Sequence, residues 1–353
     1  MSLPTTFFTG RGSSGKSYGW NYYDNLTNYY MAGHNVNGNI FWHKLDVLEA
    51  NPSAGSGYEH TTNYNGTNSG WATMSLRNQL YYTYSANQLI SPSTGVVWNT
   101  NTGINYRSYI DKDEDYVWGL DGSNVIRLSM ANGNGTTYSN ILQGATADSN
   151  NRDWFLDQYN NIWYNYNNNL RKSTYFSTET GATDKQTTAS LSSATCTIIP
   201  WFNPNIVIVT NGSIVKTYDP SGSSILEIDS VTLNTNIPNG EIFTSSFDSG
   251  GGIIYIVEKG TTFAWATLEV SSSGALTKIA NGTNTAAAAV YSLHSDGFGN
   301  IITHGNSYAE AWKPNSNYTS FTQHWQINTN LNISQDAGST VFEENNKLYA
   351  QFI

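Results

Sequence analysis

The sequence has one cysteine, few charged residues and no long apolar run. Cys196 is the single cysteine among 353 residues, so no internal disulfide can form, and its apolar neighbours predict a buried strand thiol. No segment approaches the roughly 18 apolar residues that a membrane-spanning helix needs. Residues 1–8 lack the basic and apolar regions of a secretory signal peptide. We therefore predict a chain without a signal peptide and without membrane insertion.

Charge is scarce and mostly negative. Charged residues make up 12% of the chain, compared with roughly 25% in an average soluble protein, so amide and hydroxyl side chains must keep its surface hydrated. The net charge is −10, from 16 basic and 26 acidic residues. Because nucleic-acid affinity comes largely from Lys and Arg neutralising phosphates, this balance argues against a nucleic-acid partner.

The clearest pattern is the stretch 153–166, in which two aromatic runs flank a turn rich in amides. Aromatic and β-branched residues favour strands, whereas Asn tolerates the positive φ of a tight turn, so the stretch predicts a β-hairpin. Variants of it recur along the chain, 37 to 48 residues apart and about 44 on average. The residues that open the second strand of each copy are Ile40, Leu80, Val125, Ile162, Ile206, Ile253, Ile301 and Leu348.

A period of about 44 residues is typical of repeats that stack four-stranded blades into a propeller. We predict an all-β chain forming a single β-propeller domain over residues 1–353, with eight blades, or seven if the weaker second or third copy belongs to a loop. The last hairpin, residues 340–353, has no outer strand after it. The prediction is that residues 4–9 form a closing strand that pairs with the C-terminal blade, because this removes two open sheet edges.

Residues 10–17 match the phosphate-binding pattern G-x-x-x-x-G-K-[ST]. A phosphate loop must lead into a helix whose first amides hold the phosphates. Here the next residues are Tyr18, Gly19 and Trp20, which favour a strand. We interpret residues 10–19 as a flexible Gly/Ser loop and assign no cofactor to it.

The acidic segment 111–115 carries Asp111, Asp113 and Asp115, an alternation that can hold calcium when a loop curls around the ion. The match to a calcium loop is partial, because Tyr116 replaces the turn glycine and Gly122 replaces the final bidentate glutamate. A solvated acidic loop and a calcium site both remain open from the sequence, and no metal ligand is assigned.

No catalytic constellation is recognisable. The six histidines are scattered without the spacing of a zinc site, and there is no G-x-S-x-G nucleophile motif. Asp121, Asp157 and Asp296 lie in or beside hairpin turns, where aspartate side chains bind turn amides. A glycosidase would need two carboxylates facing one pocket, and the sequence does not identify such a pair. No catalytic residue is therefore assigned, and the expectation is that the chain is not an enzyme.

Residues 155–163 and 295–302 resemble the D-x-x-G-N-I-W hairpin of several propeller families. The amide- and Tyr-rich, charge-poor composition also resembles virion proteins of tailed bacteriophages, especially tail and surface components. This second resemblance implies a non-catalytic structural or adhesive role in a phage particle, assembled in the host cytoplasm, with other virion proteins or a host-surface glycan as partners. Two alternatives stay open: a carbohydrate-binding propeller, favoured by 11 Trp and 24 Tyr, and a glycan-degrading propeller enzyme.

Overall fold

The computed structural model consists of β-strands throughout its described part. It describes 29 strands together with residues 115, 130–134, 206, 211–213, 220–225, 233–235, 237, 258, 260–261, 272–275, 286–289, 300 and 315–320. Among these residues there is no helix with the length and apolar character to cross a membrane. The all-β prediction is therefore confirmed for the described part of the chain.

The strands of the first half are β1 (Tyr22–Tyr23), β2 (Tyr29–His34), β3 (Ile40–Leu45), β4 (Tyr58–His60), β5 (Trp71–Met74), β6 (Leu80–Tyr84), β7 (Ala86–Ser91), β8 (Gly95–Ile110), β9 (Tyr116–Asp121), β10 (Asn124–Ser129), β11 (Gly135–Tyr138), β12 (Trp154–Leu156), β13 (Ile162–Tyr166), β14 (Asn169–Ser173) and β15 (Asp184–Gln186). Those of the second half are β16 (Thr197–Pro200), β17 (Val207–Thr210), β18 (Ile214–Asp219), β19 (Leu226–Thr232), β20 (Glu241–Asp248), β21 (Gly251–Val257), β22 (Thr262–Ser271), β23 (Leu276–Thr285), β24 (Val290–Ser295), β25 (Ile301–Gly305), β26 (Tyr308–Pro314), β27 (Phe321–Asn328), β28 (Thr340–Glu343) and β29 (Leu348–Tyr349).

The hairpin predicted over 153–166 forms as β12 and β13, with Leu156 opposite Ile162. Ile162 and Trp163 are almost fully buried, as expected for apolar residues that open a strand inside stacked sheets. Ile162 and Ile301 begin β13 and β25, and Ile206 directly precedes β17. These anchors confirm the hairpin repeat.

Most strands belong to antiparallel four-stranded sheets. Four of these sheets follow chain order, β12–β15, β16–β19, β20–β23 and β24–β27. A seven-stranded sheet runs from β5 to β11 through the 16-residue β8. The first strands β12, β16, β20 and β24 contact one another in succession, and β24 also contacts β28. Successive sheets therefore stack side by side, as in a propeller.

The two ends of the chain share sheets. β28 pairs with β2, with Val341 opposite Met31, in a sheet ordered β28-β2-β3-β4. β29 pairs with β1. The two halves of the hairpin predicted over 340–353 thus lie in different sheets, and that hairpin prediction is wrong. The predicted closing strand 4–9, the loop 10–19 and Cys196 lie outside the described residues.

A β-bulge occurs at the same place in three consecutive sheets, between the third and fourth strands. The extra residue on the fourth strand is Ile228 in β19, Ile279 in β23 and His324 in β27. A bulge shifts the alternation of a strand by one residue, so the residues flanking it are redirected. In β27, Gln323 lies opposite Trp312 and Gln326 lies opposite Glu310.

The core lies between the sheets. One cluster joins the β16–β19 and β20–β23 sheets through buried aliphatic residues such as Ile208, Ile254 and Leu268. A second joins the β20–β23 and β24–β27 sheets and is rich in aromatics. In it, Phe263 meets Trp312 edge-on at 5.2 Å between ring centroids, and Trp265 meets Phe321 at 4.9 Å. Such ring contacts fix the spacing of neighbouring sheets.

Candidate functional site

The candidate site is the edge at which β21 and β23 end and β22, β24 and β26 begin. Two segments meet there. The first is the turn 258–261 that joins β21 to β22, of which residues 258, 260 and 261 are described. The second is the loop 286–289, which joins the β20–β23 sheet to the next one. Ala286 donates its backbone N–H to the carbonyl of Thr261 at 2.8 Å. This bond holds the loop 286–289 against the turn 258–261.

Glu310 of β26 lies under this loop and is only 3% exposed. Its Oε1 accepts hydrogen bonds from the backbone N–H of Ala287 at 3.1 Å and from Nε2 of Gln323 at 2.6 Å. Its Oε2 accepts from Oγ1 of Thr303 at 3.4 Å. Desolvation by burial raises the pKa of Glu310 above its ordinary value, and the three donors, all neutral, act in the opposite direction. The carboxyl thus connects the loop 286–289 to β25 and β27.

Glu258 stands at the start of the turn 258–261, directly after β21, and is partly exposed. Burial raises the pKa of its carboxyl, while a hydrogen bond from the backbone N–H of Ala264 lowers it by a smaller amount. Its own backbone N–H donates to the carbonyl of Ala264 at 2.9 Å. The turn therefore presents a carboxyl group that is fixed at its backbone and still reaches solvent.

Two amide side chains of β23 connect its sheet to both neighbouring sheets. Nδ2 of Asn281 donates to Oγ1 of Thr235 at 2.7 Å, which joins β23 to the segment after β19. Asn284 accepts from Nε1 of Trp265 at 2.7 Å and donates to the carbonyl of Phe321 at 3.1 Å. These hydrogen bonds tie β23 to the neighbouring sheets on both of its sides.

Most residues singled out in the sequence lie elsewhere. Asp111 and Asp113, the phosphate-loop-like segment 10–17, and the turn residues Asp157 and Asp296 fall outside the described residues. Asp115 is exposed, and its carbonyl accepts the N–H of Met130 at 2.8 Å. Within the described ranges no group of three His, Cys, Asp or Glu side chains could hold a metal ion. A calcium site at 111–115 stays a prediction.

Sequence reasoning missed Glu258 and Glu310. Neither belongs to a motif, and glutamate in a strand such as β26 is ordinarily a solvent-facing residue. One signal was present: Glu310 interrupts an otherwise apolar run from Tyr308 to Trp312. The connection between Glu258 and Glu310 depends on Ala286 and Ala287, which bridge the β20–β23 and β24–β27 sheets.

Comparison with known proteins supports the fold. No protein-family model matches the chain, and no curated protein matches it. Among solved structures, it is similar to a proposed 6-phosphogluconolactonase from Bacteroides uniformis, with 12% identity and a TM-score of 0.55, covering 89% of this chain and 99% of that one. A second proposed 6-phosphogluconolactonase, from Bacteroides fragilis, has 10% identity and a TM-score of 0.55, covering 93% and 98%. Kluyveromyces lactis Hsv2p has 8% identity and a TM-score of 0.54, covering 87% and 99%.

These similarities show a propeller-type fold and correct the expected role. The neighbours are propeller-type proteins from bacteria and yeast, two of them proposed lactonases, and none is a virion component. The phage tail or surface assignment and the structural or adhesive function inferred from composition are therefore wrong. The reason is physical: a stacked-sheet ring of any origin needs many aromatics between its sheets and many turn amides. That composition reports the architecture and carries no information about the source. The chain belongs with β-propeller-type proteins in its fold.

Proposed function

We propose that this chain is an enzymatic propeller that hydrolyses a sugar lactone, with Glu258 as the general base. The observation that carries the proposal is the Glu258 carboxyl itself, partly exposed at the sheet edge and raised in pKa by burial. A base with a pKa closer to neutral is better matched to its task than an ordinary glutamate. The likeness to two proposed 6-phosphogluconolactonases supports the substrate class.

The reaction needs no oxidant and no covalent intermediate. The carboxylate of Glu258 accepts a proton from water while the hydroxyl adds to the lactone carbonyl carbon. The ring C–O bond then breaks, and the released alkoxide takes the proton back from Glu258. The products are a hydroxy acid and the original carboxylate.

The test is the rate of acid release from 6-phosphogluconolactone and gluconolactone, measured above the spontaneous rate. Glu258→Gln should lower kcat by about 100-fold or more, the usual contribution of a general base. The matched control is Glu269→Gln, an exposed glutamate on β22 in the same sheet, which should leave the rate unchanged. A wild-type rate equal to the spontaneous rate, or an unaffected Glu258→Gln variant, would overturn the proposal.

For the architecture, we propose one domain over residues 1–353 with seven blades. The β5–β11 sheet counts as two blades that share the long strand β8, and β28 supplies the innermost strand of the blade of β2–β4. Contacts between the successive first strands, including β24 with β28, support this count.

The closure is tested by cross-linking. In a Cys196→Ser background, Met31→Cys and Val341→Cys should form a disulfide, since the two residues lie directly opposite each other. If β28 paired with a strand other than β2, the two cysteines would not form a disulfide.

A further inference from the structure

Two of the three bulges, in the β16–β19 and β24–β27 sheets, create equivalent side-chain pairs. In a regular strand, residues three apart face opposite sides of the sheet. In β27 the extra residue His324 brings Gln323 and Gln326 to the same side, because they lie opposite Trp312 and Glu310, which are two apart on β26. Gln323 then donates both to Oε1 of Glu310 and to Oε1 of Gln326, at 2.6 and 3.1 Å.

The same position in the β16–β19 sheet holds an ion pair. There the bulge at Ile228 places Glu227 opposite Tyr218, and Lys216 is two residues from Tyr218 on β18. Nζ of Lys216 lies 2.8 Å from Oε2 of Glu227, near the surface. Lys216 thus corresponds to Glu310, and Glu227 corresponds to Gln323. In the β24–β27 sheet the pair at this position consists of the buried carboxyl of Glu310 and the neutral amide of Gln323.

The carboxyl of Glu310 is buried under a loop and Gln323 is exposed, whereas Lys216 and Glu227 are both partly exposed. Oε1 of Glu310 accepts the N–H of Ala287, and the preceding residue Ala286 donates to Thr261 in the turn that carries Glu258. Two consecutive peptide groups therefore connect the buried carboxyl of Glu310 to the turn. Thr303 holds the other oxygen of Glu310, and Nε1 of Trp312 donates to Oγ1 of Thr303 at 3.3 Å, so the carboxyl has little freedom to rotate.

We propose that Gln323 is a positioning residue: it orients Glu310, which fixes the Ala286–Ala287 peptide groups and through them the turn that carries Glu258. This inference rests on the proposed function for its catalytic consequence, although the structural link can be measured without activity. The polar atoms in the link are already paired with one another, so its role is to set the position of the turn 258–261 and not to contact the ligand.

The experiment measures hydrogen exchange of the peptide covering residues 284–290 in the full-length chain. Gln323→Leu should speed exchange in this peptide by about tenfold, since Glu310 loses the amide that orients it. Gln323→Lys should restore slow exchange, because an ammonium can donate to Glu310 as Lys216 does to Glu227. The matched control, Glu227→Gln, removes the equivalent ion pair in another sheet and should leave exchange at 284–290 unchanged. If Gln323→Leu does not fold, Gln323→Asn, one methylene shorter, makes the same test.

Activity gives the second readout. If lactone hydrolysis is present, Gln323→Leu should lower kcat about tenfold, because a small displacement of a catalytic group has effects of this size. The KM should change less than kcat, and Gln323→Lys should recover the rate. Unchanged exchange in Gln323→Leu overturns the positioning role even in an active enzyme. Faster exchange in a chain without lactonase activity overturns the proposed function and leaves the positioning link supported.

Discussion

Replacing Gly282 by alanine tests how tightly the last sheets are packed. Gly282 lies directly opposite Trp265 on the adjacent strand, and the indole covers it. A Cβ at this position would lie 2.6 Å from Cζ2 and 3.0 Å from Cε2 of Trp265. The indole cannot easily move, because it is buried, meets Phe321 edge-on and donates Nε1 to Asn284 at 2.7 Å. Each of these contacts opposes the shift that an added methyl requires.

The expected cost follows from these contacts. Overpacking a well-packed core costs about 1–3 kcal/mol, and moving the indole also weakens a hydrogen bond that contributes about 1 kcal/mol. We expect Gly282→Ala to lower the free energy of unfolding by about 2 kcal/mol. Urea-induced unfolding, followed by tryptophan fluorescence, measures this value.

The matched control is Gly222→Ala in the turn before β19. The nearest atom to a Cβ there is the carbonyl oxygen of Ser224 at 3.6 Å, an ordinary contact. Both substitutions reduce the entropy of the unfolded chain equally, so this effect cancels in the comparison. Trp265→Phe provides a second check, because the smaller ring should remove at least half of the cost of Gly282→Ala. Equal stability of Gly282→Ala and Gly222→Ala would refute the packing argument.

Three further predictions concern the same sheets. Gly274→Ala should destabilise the protein by at least 1 kcal/mol in urea unfolding, because Gly274 has a φ of +89° and an added Cβ would lie 2.8 Å from Cδ1 of Ile228. An unchanged urea midpoint would contradict this prediction. Glu310→Gln should gain stability relative to the wild type as pH rises from below 4.5 toward neutral. A carboxyl with a raised pKa stabilises the fold when it is protonated and loses that contribution as it ionises. A difference in unfolding free energy that does not change with pH would disprove this prediction. Thr267→Val should lower the free energy of unfolding by about 1 kcal/mol, since Oγ1 of Thr267 donates to the carbonyl of Tyr318 at 2.7 Å and so joins two sheets. Thr267→Ser keeps the hydroxyl and should cost less. Equal losses of stability in the two variants would argue against the hydrogen bond.

Part of the fold could be predicted because its signals are local. The amide-rich residues after Leu156 and the apolar opening of β13 at Ile162 are contained in one stretch of sequence, as are the corresponding residues around Ile301. Turn chemistry and strand alternation act over a few residues, so their repetition revealed stacked hairpins. The prediction of a terminal hairpin failed because β28 and β29 pair with strands that are about 310 to 330 residues away in the chain. No local pattern specifies such a partner.

The candidate site was invisible for a similar reason. The residue type and position of Glu310 are plain in the sequence, but its chemistry depends on its surroundings. Glu310 is buried beneath the loop 286–289 and accepts a hydrogen bond from Gln323. Gln323 reaches it only because a bulge reverses the alternation of β27. Desolvation and hydrogen bonding are properties of the surroundings of a carboxyl, and those surroundings come from two sheets. The sequence by itself therefore determined the strands, the turns and the repeat. Only the tertiary structure decided which sheet takes the last strands and which glutamates differ from ordinary surface carboxylates, because both depend on contacts between distant parts of the chain.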